Sequence, residues 1–264
     1  MNFTDKVVLI SGATGGLGEA LAHQLTIEHC KLALCGRRED QLQIIAQHIK
    51  QNHEECITKR CDVTNPQDVH EMIDYTMKQY HRIDIAILTA GILIPNPIET
   101  LTSKIAIKTM ETNFFGTLYF IEDVLPIMKT QKQGTIAVVS TLPDRRGVAG
   151  WGAYGASKAA ISWFLESLRA EAKQKYNINI ITIKPGSVQT PMIQDYHRHG
   201  ALSPEQAADY IISGMKKGKK IIQFPFSQVM MIRLTDLFPV SAYDSIPLKL
   251  QKGDDYPQEE EKMK

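Results

Sequence analysis

The chain has 264 residues, 43% hydrophobic and 22% charged, with a formal net charge of +1. Length alone allows two average domains, although α/β chains of this size are often one, and such a chain buries roughly 70–75% of its unfolded surface without a staple. The charge balance gives no electrostatic case for nucleic-acid binding, and no apolar run approaches the ~20 residues that span a bilayer.

Lys6 to Ser11 (KVVLIS) is a short, β-branched apolar run that predicts a buried strand. It begins so near the N-terminus that no room for a signal peptide is expected. The run enters Gly12-Ala13-Thr14-Gly15-Gly16-Leu17-Gly18, followed by a helical pattern on Leu17, Ala20, Leu21 and Leu25. Strand, glycine-rich turn and helix aim backbone N–H groups and a helix N-terminus at a phosphate, and glycine lets the backbone approach without a Cβ in the way. The spacing G-x-x-x-G-x-G differs from the commoner G-x-G-x-x-G, and a ligand-free glycine-rich turn is the alternative. A second strand near 31–36 ends in Gly36-Arg37-Arg38. A carboxylate there would select NAD by its ribose hydroxyl, whereas arginine favours a 2′-phosphate, so NADP(H) is expected over NAD(H) unless the pair is merely solvated.

Further strands are predicted near 55–61, 83–90, 134–140, 178–184 and 220–224, alternating with helices. Asn65-Pro66 with Asp68, and Ser203-Pro204 with Gln206, carry a cap, an N1 proline and an N3 acidic or amide side chain. The alternation predicts right-handed βαβ units and one doubly wound parallel sheet, Rossmann-type, of about seven strands with helices on both faces. Residues 1–251 are expected to form this unit, with a substrate loop at 186–203, a C-terminal extension at 225–251 and a disordered tail over 252–264, where Glu259 to Glu261 are all acidic. Cys30, Cys35, Cys56 and Cys61 lack a C-x-x-C pair and predict buried free thiols in a reducing cytoplasm. The eight histidines show no ligand spacing, His197 and His199 merely flanking an arginine, so no catalytic metal is expected.

Tyr154 and Lys158 are the most informative pair. Four residues apart on a helix, a phenol and an ammonium share one face. Free tyrosine has a pKa of about 10; a cation at roughly 4 Å in an effective dielectric of about 20 would favour phenolate by on the order of 4 kcal/mol, about 3 pKa units at most. That would bring the phenol into range for proton transfer near neutral pH. Alone, the pair is equally at home on a surface helix.

Ser11-Gly-x-x-x-Gly-x-Gly18, Cys61-Asp62-Val63, Thr89-Ala90-Gly91, Asn113, Ser140-Thr141, Tyr154-x-x-x-Lys158 and Pro185-Gly186 with Thr190 stand in the order of the classical short-chain dehydrogenase/reductase (SDR) family. The chain resembles that family from residue 4 to about 224. The resemblance implies that the tyrosine exchanges a proton with the substrate oxygen while nicotinamide exchanges a hydride with the carbon. It implies that the lysine also holds the nicotinamide ribose, a hydroxyl near 140 orients the substrate oxygen, and Asn113 helps hold a water linking the lysine to solvent. By similarity, the phosphate turn is Gly12, Thr14, Gly16, Leu17 and Gly18. Asp62 and Val63 fall beside adenine, Ala90 and Gly91 along the cofactor, and Pro185, Gly186, Val188 and Thr190 near the nicotinamide amide.

Three positions depart from the family pattern. Ser11 replaces threonine and keeps the hydroxyl. Thr89 replaces the first asparagine of Asn-Ala-Gly, putting that amide contact in doubt. The serine usual thirteen residues before the tyrosine is here Thr141, with Ser140 before it. Neighbours on a strand face opposite ways, so only one hydroxyl reaches the substrate; Gly147 and Gly150 match the family spacing without a gap and favour Thr141.

Leu93, Ile94, Leu142, Trp151 and Val188 to Ile193 are expected to line an apolar cleft for a small or medium hydrophobic ketone, aldehyde or secondary alcohol, unless they only pack a lid. Helices near 101–129 and 152–176 carry Phe114, Phe115, Leu118, Ile161, Phe164 and Leu168; the resemblance implies a homodimer or homotetramer through them, and core packing is the alternative. A helix from about Ser227 to Leu237, apolar over more than one face, follows Lys216, Lys217, Lys219 and Lys220. It would pack on the core or a partner, cover the substrate, or lie on an anionic membrane surface. Two function classes stand: an NADP-dependent oxidoreductase, favoured by the complete Tyr, Lys, Asn and hydroxyl set, and a non-catalytic NADP-binding sensor on the same fold.

Overall fold

The computed structural model describes residues 1–51, 55–193 and 200–245. His197, His199, the tail beyond 251 and the end of the 225–251 extension lie outside the described residues.

Strands β1 (Val7–Ser11), β2 (Lys31–Gly36), β3 (Cys56–Arg60), β4 (Ile85–Leu88), β5 (Gly134–Val139), β6 (Ile178–Pro185) and β7 (Ile221–Phe224) form one sheet in the order β3-β2-β1-β4-β5-β6-β7. Every pairing is parallel; Val8, for instance, lies between Leu32 and Ile85. Strand order reverses between β1 and β4, so their C-terminal ends open a crevice there. All seven predicted strands are present. The segment predicted over 83–90 is shorter because the Ile83 N–H is taken by the Gln131 side chain rather than by a neighbouring strand.

The helices are α1 (Gly16–Thr26), α2 (Glu39–Gln51), α3 (Pro66–Tyr80), α4 (Ser103–Met110), α5 (Gly116–Gln131), α6 (Gly152–Tyr176), α7 (Pro204–Lys216), α8 (Phe226–Thr235) and α9 (Val240–Asp244). The period-two alternation of the strands divides the core between them. Val8, Ile10, Leu32 and Leu34 pack against Leu21, Leu25, Ile45 and Ile211 of α1, α2 and α7. Leu9 and Ala33 instead meet Met72, Phe120, Val124 and Ile161 of α3, α5 and α6. The four cysteines are free and buried. No described helix is long and apolar enough to cross a membrane.

Two expectations change. The helical pattern near 101–129 is α4 and α5 joined by a π-helical turn at Glu111–Phe115. Ile161 is fully buried against the sheet, and Phe114, Phe164 and Leu168 pack partly on the same core, because these positions face inward. Ile107, Phe115 and Trp163 are among the exposed apolar side chains of these helices.

Both predicted helix starts form. The Asn65 side chain accepts from the Gln67 N–H, and Ser203 with Gln206 makes a reciprocal capping box. Ser203→Ala removes one arm of that box and should lower stability by about 1 kcal/mol in urea titration.

Candidate active site

A cleft of about 1640 Å³ runs along the C-terminal ends of the strands, from the glycine turn to α8. At one end the glycines are sterically required. Gly12 has φ of +70°, and a Cβ on it would lie 2.7 Å from the Ala90 nitrogen; a Cβ on Gly18 would meet the Gly12 carbonyl oxygen at 2.3 Å. The N-terminus of α1 and its unpaired amides therefore face the cleft, with Thr14, Gly16 and Leu17 also lining it. Arg37 and Arg38 line the same end and both are exposed. Arg38 donates from Nη2 to the Thr14 carbonyl, bracing the turn. No interaction engages Arg37 among the described residues.

Asp62 and Val63 form the adjoining wall. Asp62 accepts from the Thr64 amide at 3.0 Å and hydroxyl at 2.8 Å, which shapes that bend. Beneath it, Cys35 and Cys61 are buried; the hydrogen bond that the Cys35 thiol makes to Cys61 and then burial push that thiol well above its ordinary pKa, so it is an inert core group. Thr89, where an amide was in doubt, uses its hydroxyl to donate to the Ser11 carbonyl at 2.7 Å, joining the ends of β4 and β1.

Tyr154 and Lys158 both line the middle of the cleft from α6, with Lys158 Nζ 5.9 Å from the centre of the Tyr154 ring. Lys158 is 4% exposed, donates to the Val139 carbonyl at 2.8 Å, and burial lowers its pKa to about 8. An ammonium has three donors, so two remain for a ligand or water. Asn113 sits in the π turn, 1% exposed. Its Oδ1 accepts from the Ile92 amide at 2.7 Å, and its Nδ2 donates to the Ile92 carbonyl at 3.0 Å and to Ser157 Oγ at 2.9 Å. Ser157 in turn donates to the Tyr154 carbonyl at 2.7 Å. The Asn113 amide thus ties the loop after β4 to the first turn of α6. A Cβ on Gly91 would approach Asn113 Oδ1 at 3.2 Å and Lys158 Nζ at 3.4 Å, so glycine gives both room.

The amides of Ser140 and Leu142 continue the ladder to Ile183 and Pro185, keeping the chain extended through Thr141. Ser140 is 1% exposed; its hydroxyl donates to the Lys158 carbonyl at 2.9 Å and pairs with Ser162 Oγ at 2.8 Å. Thr141 lines the cleft, and no protein group bonds its hydroxyl among the described residues.

Pro185, Gly186, Val188 and Thr190 line the cleft as expected, as do Leu93, Trp151, Pro191 and Met192. Leu142 and Ile94 do not. Leu142 is fully buried with its amide in the ladder, and Ile94 packs with Ile105 and Ala153. Gln189 turns away to donate to the Ala201 carbonyl. The Ile193 side chain lies outside the described residues. The far wall comes from the helix after β7, for which the sequence left three seats open. The helix expected from about Ser227 to Leu237 is α8; it presents Ser227, Gln228, Met231 and Ile232 to the cleft, and none of its residues is buried. Gln228 accepts from the Ser187 amide at 2.9 Å and donates to the Gly200 carbonyl at 3.0 Å. A Cβ on Gly186 would lie 2.0 Å from Gln228 Oε1, so the Pro-Gly turn is shaped by α8. Ser157 had a signal in its place between Tyr154 and Lys158; Gln228 had none, because its partners are 28 and 41 residues away.

A family model described as short chain dehydrogenase matches residues 6–200. The chain belongs to the short-chain dehydrogenase family. It is an SDR-type oxidoreductase acting on CH–OH and C=O groups with a nicotinamide cofactor. An uncharacterized oxidoreductase of Listeria monocytogenes is 33% identical over 195 residues, 74% of this chain and 79% of that protein. An SDR family protein 7-like dehydrogenase/reductase of Anopheles gambiae is 29% identical over 81% of this chain and 73% of its own. Among solved structures, an SDR from Burkholderia phymatum in complex with NAD superposes with a TM-score of 0.86 at 19% identity, over 95% of this chain and all (100%) of that one. Levodione reductase superposes with a TM-score of 0.79 at 24% identity, over 87% and 99%. At these identities the superpositions speak to fold.

Burial of Lys158 has a thermodynamic consequence. Its folded pKa of about 8 lies below the ordinary 10.5, so carrying the proton opposes folding. The penalty, on the order of 3 kcal/mol, is fully present below about pH 8, shrinks as pH rises toward 10.5 and is absent above it. Lys158→Met should therefore be more stable than wild type at pH 7 by about 1–2 kcal/mol, after the lost bond to Val139 is deducted, with the advantage shrinking by about pH 10. Urea unfolding at the two pH values measures this.

Proposed function

We propose that the protein is an NADP(H)-dependent oxidoreductase that interconverts a hydrophobic ketone or aldehyde with its alcohol. The observation that carries this reading is the meeting of the Tyr154 phenol, the buried Lys158 ammonium and the unbonded Thr141 hydroxyl at the middle of one cleft. The residues fit a dinucleotide. The α1 N-terminus and the Cβ-free turn at Gly12, Gly16 and Gly18 suit the pyrophosphate, Asp62 and Val63 the adenine, Ala90 and Gly91 the adjoining ribose and Pro185 to Thr190 the nicotinamide. When bound, the nicotinamide supplies or accepts the hydride.

The chain's own residues handle the proton. In reduction Tyr154 donates from its phenol to the substrate oxygen; in oxidation its phenolate takes the alcohol proton. Lys158 stays charged at neutral pH, favours the phenolate and offers its two spare N–H groups to the ribose and to water, while Asn113 holds the π turn around it. Thr141 orients the substrate oxygen. Ser140 is spent on α6, which supports Thr141 over it.

The unengaged Arg37 at the end of β2, with no carboxylate there, supports a 2′-phosphate and hence NADP(H) over NAD(H). Leu93, Trp151, Met192, Met231 and Ile232 make the substrate end largely apolar. Exposed Ile107, Phe115 and Trp163 support a homodimer or homotetramer, and four free buried thiols suit the cytoplasm.

A panel of ketones, aldehydes and secondary alcohols with NADPH or NADP, followed at the nicotinamide absorbance band, tests the reaction; cofactor binding without turnover of any would point to a sensor instead. Tyr154→Phe should lower kcat by at least ~100-fold with cofactor affinity nearly unchanged. Thr141→Ala should cost more activity than Ser140→Ala, and Thr141→Ser should retain it; the reverse order would move the role to Ser140. Neutralising Arg37 and Arg38 together should weaken NADP binding by roughly 10-fold or more and NAD binding little, as charge-assisted bonds to the 2′-phosphate are lost.

A further inference from the structure

Helix α8 walls the cleft, yet no residue of it is buried, and Phe226, Met230 and Leu234 are exposed on its outer side. Apolar burial therefore holds it only in part, through half-buried Val229 and Ile232, and charge adds a second hold. Lys184, at the end of β6, is ion-paired with Asp144 Oδ2 in the loop after Thr141. The other oxygen of that carboxylate, Oδ1, lies 3.6 Å from Arg233 Nη2 on α8. Arg233 Nη1 also pairs with Asp236 Oδ2 at 2.8 Å, and Arg145 of the loop approaches the same Asp236 oxygen at 3.9 Å. The chain of charges thus runs from sheet to loop to α8 and back to the loop.

The two carboxylates are withdrawn from water, with side-chain exposures of 4% for Asp144 and 8% for Asp236. Asp144 Oδ1 accepts no hydrogen bond and is buried, so Arg233 is the α8 group that compensates it. A buried carboxylate that loses a cation must draw in water or move. The next residues of the loop repeat the attachment: Arg146 donates to the Phe238 carbonyl, and the Tyr243 hydroxyl donates to the Gly147 carbonyl at 2.8 Å. The same loop continues to Val148 and Trp151, which line the cleft along with Met231.

We propose that Arg233 is a positioning residue for the site: by bridging Asp144 and Asp236 it locks α8 to the loop that follows Thr141, so both walls of the substrate end move as one unit. The substrate half of this inference rests on the proposed oxidoreductase reading; the structural half does not. Loosening the bridge lets α8 and residues 142–151 open together and leaves the glycine turn, which follows β1 rather than β5, as it was.

Hydrogen exchange on the full chain, without ligand, tests the coupling. In Arg233→Met, α8 amides and those of Leu142, Asp144 and Trp151 should lose protection together by roughly 10-fold, those of β1 and β4 should not, and Arg233→Lys should restore part of it. Loss in α8 alone, or in neither segment, overturns the proposal, as does uniform loss over the sheet. The kinetic arm pairs a bulky apolar ketone with an acetone-sized one. Arg233→Met should raise KM about fivefold or more for the bulky substrate and less than about twofold for the small one, with NADPH affinity held within about twofold. Equal effects on both substrates, or lost cofactor binding, overturn the positioning role. Because exchange needs no turnover, failure of the proposed chemistry and failure of the lock are separately visible.

Discussion

A protonated amine, Lys158, is held almost wholly out of bulk solvent at the wall of the cleft, and the middle of the molecule is arranged around that constraint. Burial disfavours the charge enough to bring the pKa to about 8, yet at neutral pH the ammonium persists. Among the described residues its one protein hydrogen bond goes to the carbonyl at the end of β5. Gly91 leaves space for it, the Asn113 amide holds the loop on that side, and Ser140 fastens the turn of α6 that carries it. A cation kept short of acceptors is a poor contributor to stability and a good neighbour for the phenol proposed to exchange a proton.

The π turn at Glu111–Phe115 belongs to the same economy of space. An extra residue in a helical turn re-aims a side chain without ending the helix. Here it brings Asn113 inward, where one amide meets both backbone groups of Ile92 and the Ser157 hydroxyl. Helix, strand end and α6 are thereby joined beside the lysine through a single side chain.

The far side of the cleft is held differently. α1, α2 and α7, like α3, α5 and α6, dock by apolar stripes, so the sheet region is close-packed and stiff. α8 docks largely by ion pairs and the Gln228 amide instead. A polar attachment loses less on opening than a packed apolar one, since water replaces part of what is broken. The glycine-turn end of the cleft is therefore the rigid one, and the α8 end is the adjustable one.

Much of this was legible in the linear chain where the physics is local. Short apolar runs placed all seven strands, Ser203 and Asn65 announced their helices, and the glycines after β1 declared a tight turn into a helix. The four-residue step from Tyr154 to Lys158 put both on one helical face. Where the partner is distant in sequence, the chain was silent. Ile161 and Leu142 read as surface or cleft residues and are core, because only the packed layers say which apolar face turns inward. Ser140 and Thr141 are chemically near-equivalent as letters; the position of Ser162 and the Lys158 carbonyl separates them. The apolar helix after β7 was visible, but its seat was not, since Gln228, Arg233 and Asp236 meet partners brought together only by the loops after β5 and β6. Sequence by itself determined the sheet, the glycine turn and the Tyr–Lys pair, each set by neighbours a few residues apart; tertiary structure alone decided which hydroxyl is free, where the buried charge sits and what closes the cleft, because those depend on contacts across tens of residues.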